Sequence, residues 1–163
     1  MKQPVNLQID MSEIIFDIQN KTYLTGRSAS DDTNHAHIAH MQANDDDENA
    51  AQILRSVTLA CMTLRNRLGE YLELDDLNST NDSLTAGDNI TLVLKMPSNF
   101  NTSVSKTIAQ AAHQFIVASA IADWFAITAK GETADYTAVA RASLELLEQT
   151  LCKRKRPQRA AER

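Results

Sequence analysis

Three imidazoles fall within six residues, His35, His37 and His40 in the run H-A-H-I-A-H, the first place in this chain to look for chemistry. With Asp31 or Asp32 as a fourth ligand, they supply the donor types of a zinc site. Their spacing matches no established zinc pattern. The H-x-x-H lacks the glutamate of a helical metalloprotease, and Cys61 and Cys152 lie far away in sequence. The segment is read as a polar surface loop and no metal ligand is assigned. The run Asp45, Asp46, Asp47, Glu48 lacks the spaced acids and central glycine of a calcium loop. Acids before an apolar periodic stretch are explained by the unpaired N–H groups of a helix start. His113 and Asp123 are ten positions apart on one helical stretch, and at about 100° per residue they face different sides, so they form no dyad. Asp123, beside Trp124, is expected to pair with a basic side chain or a helix end rather than to act as a catalytic carboxylate. The chain has no G-x-S-x-G, P-loop, G-x-G-x-x-G or C-x-x-C. No catalytic residue and no cofactor is assigned, and an enzyme is not expected.

The strongest candidate for function is the tail. Lys153, Arg154, Lys155, Arg156, Arg159 and Arg163 stand against one acid, Glu162. That is about +5 on the last eleven residues of a chain whose formal charge is −5, leaving about −10 elsewhere. Lys153, Arg154, Lys155, Arg156 and Arg159 are the expected partner-binding residues, for an acidic surface or for nucleic acid. No aromatic is interleaved with them, which argues against stacking on single strands. They lie beyond Leu151, the last apolar position, so they should add little to folding, and cutting after Cys152 should leave the melting temperature nearly unchanged.

These residues must be positioned by helices. Residues 104–130 carry Val104, Ile108, Ala111, Phe115, Ala118, Ala122 and Phe125 in one stripe, with Val117, Ile121 and Trp124 on another side. A helix apolar on most of its circumference has to be covered on most sides. Phe115, Ala118, Ala122 and Phe125 are therefore expected in the core, with the C-terminal half the more deeply buried, and Gly131 as the C-cap. A second helix should open at the acids and run to about Leu74 through Ile53, Leu54, Val57, Cys61, Leu64 and Leu68. A last helix, capped by Thr133, should bury Tyr136, Val139, Ala140, Leu144, Leu147 and Leu151. Residues 5–9 alternate as an edge strand after Pro4 does, and 90–96 form the clearest strand, ended by Pro97. Ser12 is read as the N-cap of a short helix ending near Gly26, although β-branched residues leave a strand reading open for 14–18. Residues 27–44 show no periodicity and read as a loop, or as a segment ordered against a neighbouring subunit. Residues 5–9 or 90–96 could add to a neighbour's sheet edge, since two short strands alone make a marginal sheet.

The fold class expected is mainly α, a bundle of three to four helices with a small strand or hairpin element and extended arms. Residues 1–43 would be an N-terminal arm, 44–152 the helical core domain and 153–163 a basic tail. With 163 residues, 23% of them charged, the chain suits one globular domain. The two cysteines are expected reduced and partly buried. No apolar run reaches a membrane span's length, and the N-terminus shows no secretory pattern.

The order of parts in 44–68, 90–97, 109–125 and 134–156 resembles the head–tail connector (adaptor) proteins of tailed bacteriophages. An acid-capped helix, a long connection, a strand ending in proline, a long alanine-rich helix and a final helix with a basic end follow one another. The resemblance covers about two-thirds of the chain and rests on pattern and order rather than a signature motif. It implies a structural virion protein of the neck, assembled in the host cytoplasm and lacking a cofactor. Such a subunit is a homo-oligomer, ringed under the portal protein around the channel through which DNA passes without sequence-specific contact. It would meet further neck and tail proteins, with 151–163 reaching toward the portal and no membrane partner. Residues 1–43 fall outside the family pattern. The alternative is a helical binding module, nucleic-acid or protein regulatory, that uses the same tail.

Overall fold

The computed structural model describes residues 1–31, 33–73 and 79–158. Among these residues the chain forms β1 (Lys2–Asp10), α1 (Met11–Ser28), α2 (His35–Met41), α3 (Asp47–Arg67), β2 (Asn89–Pro97), α4 (Ser105–Thr128) and α5 (Thr133–Leu151). The protein is mainly helical with one two-stranded antiparallel sheet. Helix α4 is the centre: α5, α3 and α1 pack around it, and β1 closes a further side. Phe115, Ala118, Ala122 and Phe125 are all buried, and buried positions are denser in the C-terminal half of α4 than in the N-terminal half. The alanines let the flanking helices approach closely. Ile127, by contrast, is 63% exposed at the end of the helix.

The stretch 1–43, read from the sequence as an arm, lies in the same core as the residues that follow it. Val5, Leu7 and Ile9 alternate inward from β1, and Met11, Ile14 and Ile18 continue that surface from α1. Residues 14–18 are therefore helical. β1 pairs with β2 along its whole length, Lys2 opposite Pro97 and Asp10 opposite Asn89. The strands thus satisfy each other. On the far side of β2, Lys95 N donates to Tyr71 O at 2.6 Å and Glu73 N to Val93 O at 3.3 Å. Lys95 therefore directs its N–H away from β1, and Pro4, directly opposite, directs its ring nitrogen to the outer edge. Proline sits where the ladder needs no donor, as expected of an edge strand.

Several ends differ from the sequence reading. The N-cap of α1 is Asp10, whose carboxylate accepts from Ser12 N at 2.9 Å and Ser12 Oγ at 2.7 Å. Strand β1 runs straight into the helix, leaving Asp10 as the last extended residue. Helix α3 stops at Arg67, because Tyr71 and Leu72 peel away to bond with β2. Helix α4 is capped at Ala129, and Gly131 lies in a 3₁₀ turn, Lys130–Glu132, that leads directly into α5. No described glycine has positive φ, so the turn does not use glycine's left-handed freedom. Glu132 takes the cap position of α5, and the Thr133 hydroxyl is buried without a partner among the described residues. The 27–44 stretch is not all loop: α1 continues through Ser28 and α2 adds two turns. Met41 and Ala43 are buried, Trp124 Nε1 donates to Met41 O at 2.7 Å, and Ala43 N donates to Thr22 Oγ1 at 3.0 Å. Those two bonds fasten the end of α2 to α4 and α1.

Candidate docking site at the C-terminal end

Helix α5 runs antiparallel to α4 and ends beside the turn that precedes α4. There the chain is held rather than released. Asn101 N donates to Lys153 O at 3.2 Å, Lys155 N donates to Asn99 O at 2.7 Å, and Phe100 and Arg154 form an isolated antiparallel bridge. Phe100 is fully buried beneath this pairing. The expectation that everything beyond Leu151 is independent of the fold therefore fails for 153–155, because their backbone is the pairing partner of 99–101.

The side chains of Lys153, Arg154, Lys155 and Arg156 are nevertheless exposed. Arg159 lies outside the described residues. Among the described residues, none of the four is in an ion pair. Arg154 differs from the rest: its guanidinium donates to Leu151 O at 2.8 Å, a carbonyl that the end of α5 leaves open, and to Lys153 O at 3.2 Å. Lys153, Lys155 and Arg156 make no such bond among the described residues. The arrangement is a short run of exposed cations whose first residues, 153–155, are held by 99–101.

The other candidate residues are spread out. His35, His37 and His40 occupy three different surface recesses around α2, one lined by Tyr23 and Arg27, one by Lys130 and Glu132, and one by Asp46 and Trp124. Among the described residues no three His, Cys, Asp or Glu side chains converge as a metal site would require. Of the acidic run, Asp46 caps α3 by position and Asp47 and Glu48 occupy its first turn. Asp45 instead accepts from Gln19 Nε2 at 2.6 Å, tying α1 to the start of α3. Asp123 faces Ser56 of α3. Burial raises its pKa, and the Ser56 hydrogen bond works against that rise. The basic partner expected for Asp123 is replaced by a hydroxyl.

One pair escaped the sequence. His113 Nε2 lies 2.6 Å from Asp17 Oδ2, joining α4 to α1 through a site about one-third exposed. Among the described residues no hydroxyl or thiol bonds the other ring nitrogen, so the pair is a cross-link and not two-thirds of a triad. A polar position on each of two amphipathic helices was the available signal, but nothing in either local pattern specified the pairing. Cys61 is buried, which pushes its thiol pKa up to about 11, while Cys152 is exposed at the end of α5; both are free. Among the described residues no helix is long and apolar enough to cross a membrane. The chain matches no protein-family model, no curated protein and no solved structure.

Proposed function

We propose that the protein is a structural, non-catalytic subunit that docks by its C-terminal cations, and that its setting is the neck of a tailed phage. In this reading it is a virion protein, one member of a homo-oligomeric ring beneath the portal, around the channel for DNA. The observation that carries the docking part is the row Lys153, Lys155 and Arg156. These cations are exposed and have no ion-pair partner among the described residues; the 99–101 pairing fixes the backbone of Lys153 and Lys155, and Arg156 follows directly. A fixed row loses less freedom on binding than a loose arm would. The phage setting is supported by the order of elements, from the acid-opened helix to α5 and the basic residues that follow it, which resembles the connector pattern.

The test compares wild type with a variant carrying Lys153→Gln, Lys155→Gln and Arg156→Gln, which leaves Arg154 in its capping role. Each is incubated with particles that carry a portal but no connector, and with duplex DNA, at low and moderate salt. Wild type should co-sediment with the particles, and the variant should bind them several-fold more weakly, with the gap narrowing as salt rises. If the variant loses DNA binding yet docks on particles as well as wild type does, the nucleic-acid module is the better account.

A further inference from the structure

Resting on the docking reading above, we propose that the site is composite: Lys2 at the start of β1 and Lys106 at the start of α4 join Lys153, Lys155 and Arg156 in one basic end that fits an acidic protein surface. Roughly 150 residues separate Lys2 from the tail in sequence, and the fold removes that separation. Lys2 pairs with Pro97, and the Gln3 side chain donates to Pro97 O at 3.2 Å and to Phe100 O at 3.0 Å. Phe100 in turn bridges Arg154, and Asn99 O accepts from Lys155 N. Summing these steps puts the Cα atoms of Lys2 and Lys155 no more than about 17 Å apart. Lys106 follows by a few residues the Asn101 that bonds Lys153. It sits in the first turn of α4, which holds no acid, a placement the helix dipole disfavours and local folding does not explain.

Two nearby acids are engaged elsewhere. Glu73 is paired with Lys95 at 2.6 Å and Glu148 with Arg67 at 3.3 Å. Lys2 and Lys106 are exposed and, among the described residues, unpaired. The acidic run Asp45 to Glu48 lies at the opposite end of α4, because α3 runs antiparallel to α4 and its first turns lie beside Trp124 and Thr128. The molecule is therefore polar from end to end. That distribution favours an acidic patch of limited area over duplex DNA. DNA carries a charge every ~1.7 Å of its axis and would continue past the basic end toward surface of the same sign as itself.

The experiment measures binding of fluorescein-labelled poly-L-glutamate, an acidic polypeptide, by anisotropy at about 20 mM and about 150 mM salt. The proteins are wild type, Lys2→Glu, Lys106→Glu, Lys155→Glu and, as a control of equal charge at the other end, Lys130→Glu. Thermal melts check that each variant is folded. Lys2→Glu, Lys106→Glu and Lys155→Glu should each weaken binding by about threefold or more at low salt. Lys130→Glu should change it by clearly less. If Lys155→Glu weakens binding while Lys2→Glu and Lys106→Glu match Lys130→Glu, the composite site is wrong and the tail reading stands. If Lys155→Glu also matches Lys130→Glu, the tail reading falls and the composite site with it. Wild type binding duplex DNA at least about tenfold more tightly than poly-L-glutamate at the same salt would overturn the choice of occupant.

Discussion

Asp123, on α4 where it faces α3, shows how a single side chain at the edge of the core balances opposing effects. Burial raises its pKa and the Ser56 hydroxyl lowers it, with burial the larger effect. A carboxylate whose folded pKa is raised makes the fold less stable once it ionises. The penalty is present above the folded pKa and vanishes as pH falls below the unfolded value, ~3.9. Asp123→Asn keeps an acceptor for Ser56 and removes the charge, so it should raise the melting temperature at pH 7. The gain should disappear below about pH 4. Asp123 is partly solvent-exposed, which holds the gain to about 0.5 kcal/mol or less. A lower melting temperature at pH 7 would mean that the ionised form is wanted, with Ser56 as its anchor. The two cysteines separate by the same physics. Cys152 is exposed, whereas Cys61 is buried with its thiol pushed up to about 11. Iodoacetamide at mildly alkaline pH should label Cys152 alone in the native protein and both after denaturation. Rapid native labelling of Cys61 would contradict the packing of α3 on α4.

The elements divide into those with a local signature and those without one. Helices α3, α4 and α5 and strand β2 announce themselves by the period of their apolar residues, and each lies close to where that period puts it. Helix α2 does not: H-A-H-I-A-H-M holds too few apolar residues to show a period, and its end is held by the buried Met41, whose carbonyl accepts from Trp124 Nε1. The β1–β2 pairing joins residues 79 to 95 positions apart, and neither strand's sequence names its partner. The tail was legible as a cluster of charge, and its backbone partner at 99–101 was not, because a pairing of three residues with three leaves no pattern to read. That pairing gives the tail two separable roles. Cutting after Cys152 removes the two backbone hydrogen bonds to 99–101, each contributing about 0.5–1.5 kcal/mol net, and uncovers Phe100. The truncated chain should therefore lose about 1–3 kcal/mol, visible as a lower melting temperature. Lys153→Gln, Lys155→Gln and Arg156→Gln together should leave the melting temperature within about a degree of wild type, since exposed charges contribute little. Truncation without loss of stability would show that 153–155 merely rests on 99–101.

At the scale of the whole molecule, what matters is whether 44–152 is a unit by itself. Its helices pack on α4, but one side of α4 and of β2 is covered by residues from 1–43. Leu7, Ile9, Met11, Ile14 and Ile18 are each 4% exposed or less, and Val5 is 9% exposed. Removing them returns six large apolar side chains' worth of covered surface to water. At about 1.5–3 kcal/mol for each, the loss is about 9–18 kcal/mol, as large as the ~5–15 kcal/mol that holds a typical domain together. Strand β2 would also lose its only full-length partner among the described residues, and α4 would lose the His113–Asp17 tie. A fragment spanning 44–158 should therefore show no cooperative thermal transition by circular dichroism. Co-expressing 1–43 as a separate chain should restore one, because the missing surface is then supplied in trans. If 44–158 melts cooperatively by itself with native-like helicity, the N-terminal stretch is an arm laid on a finished domain. Its burial would then describe a docked segment and not part of the folding unit.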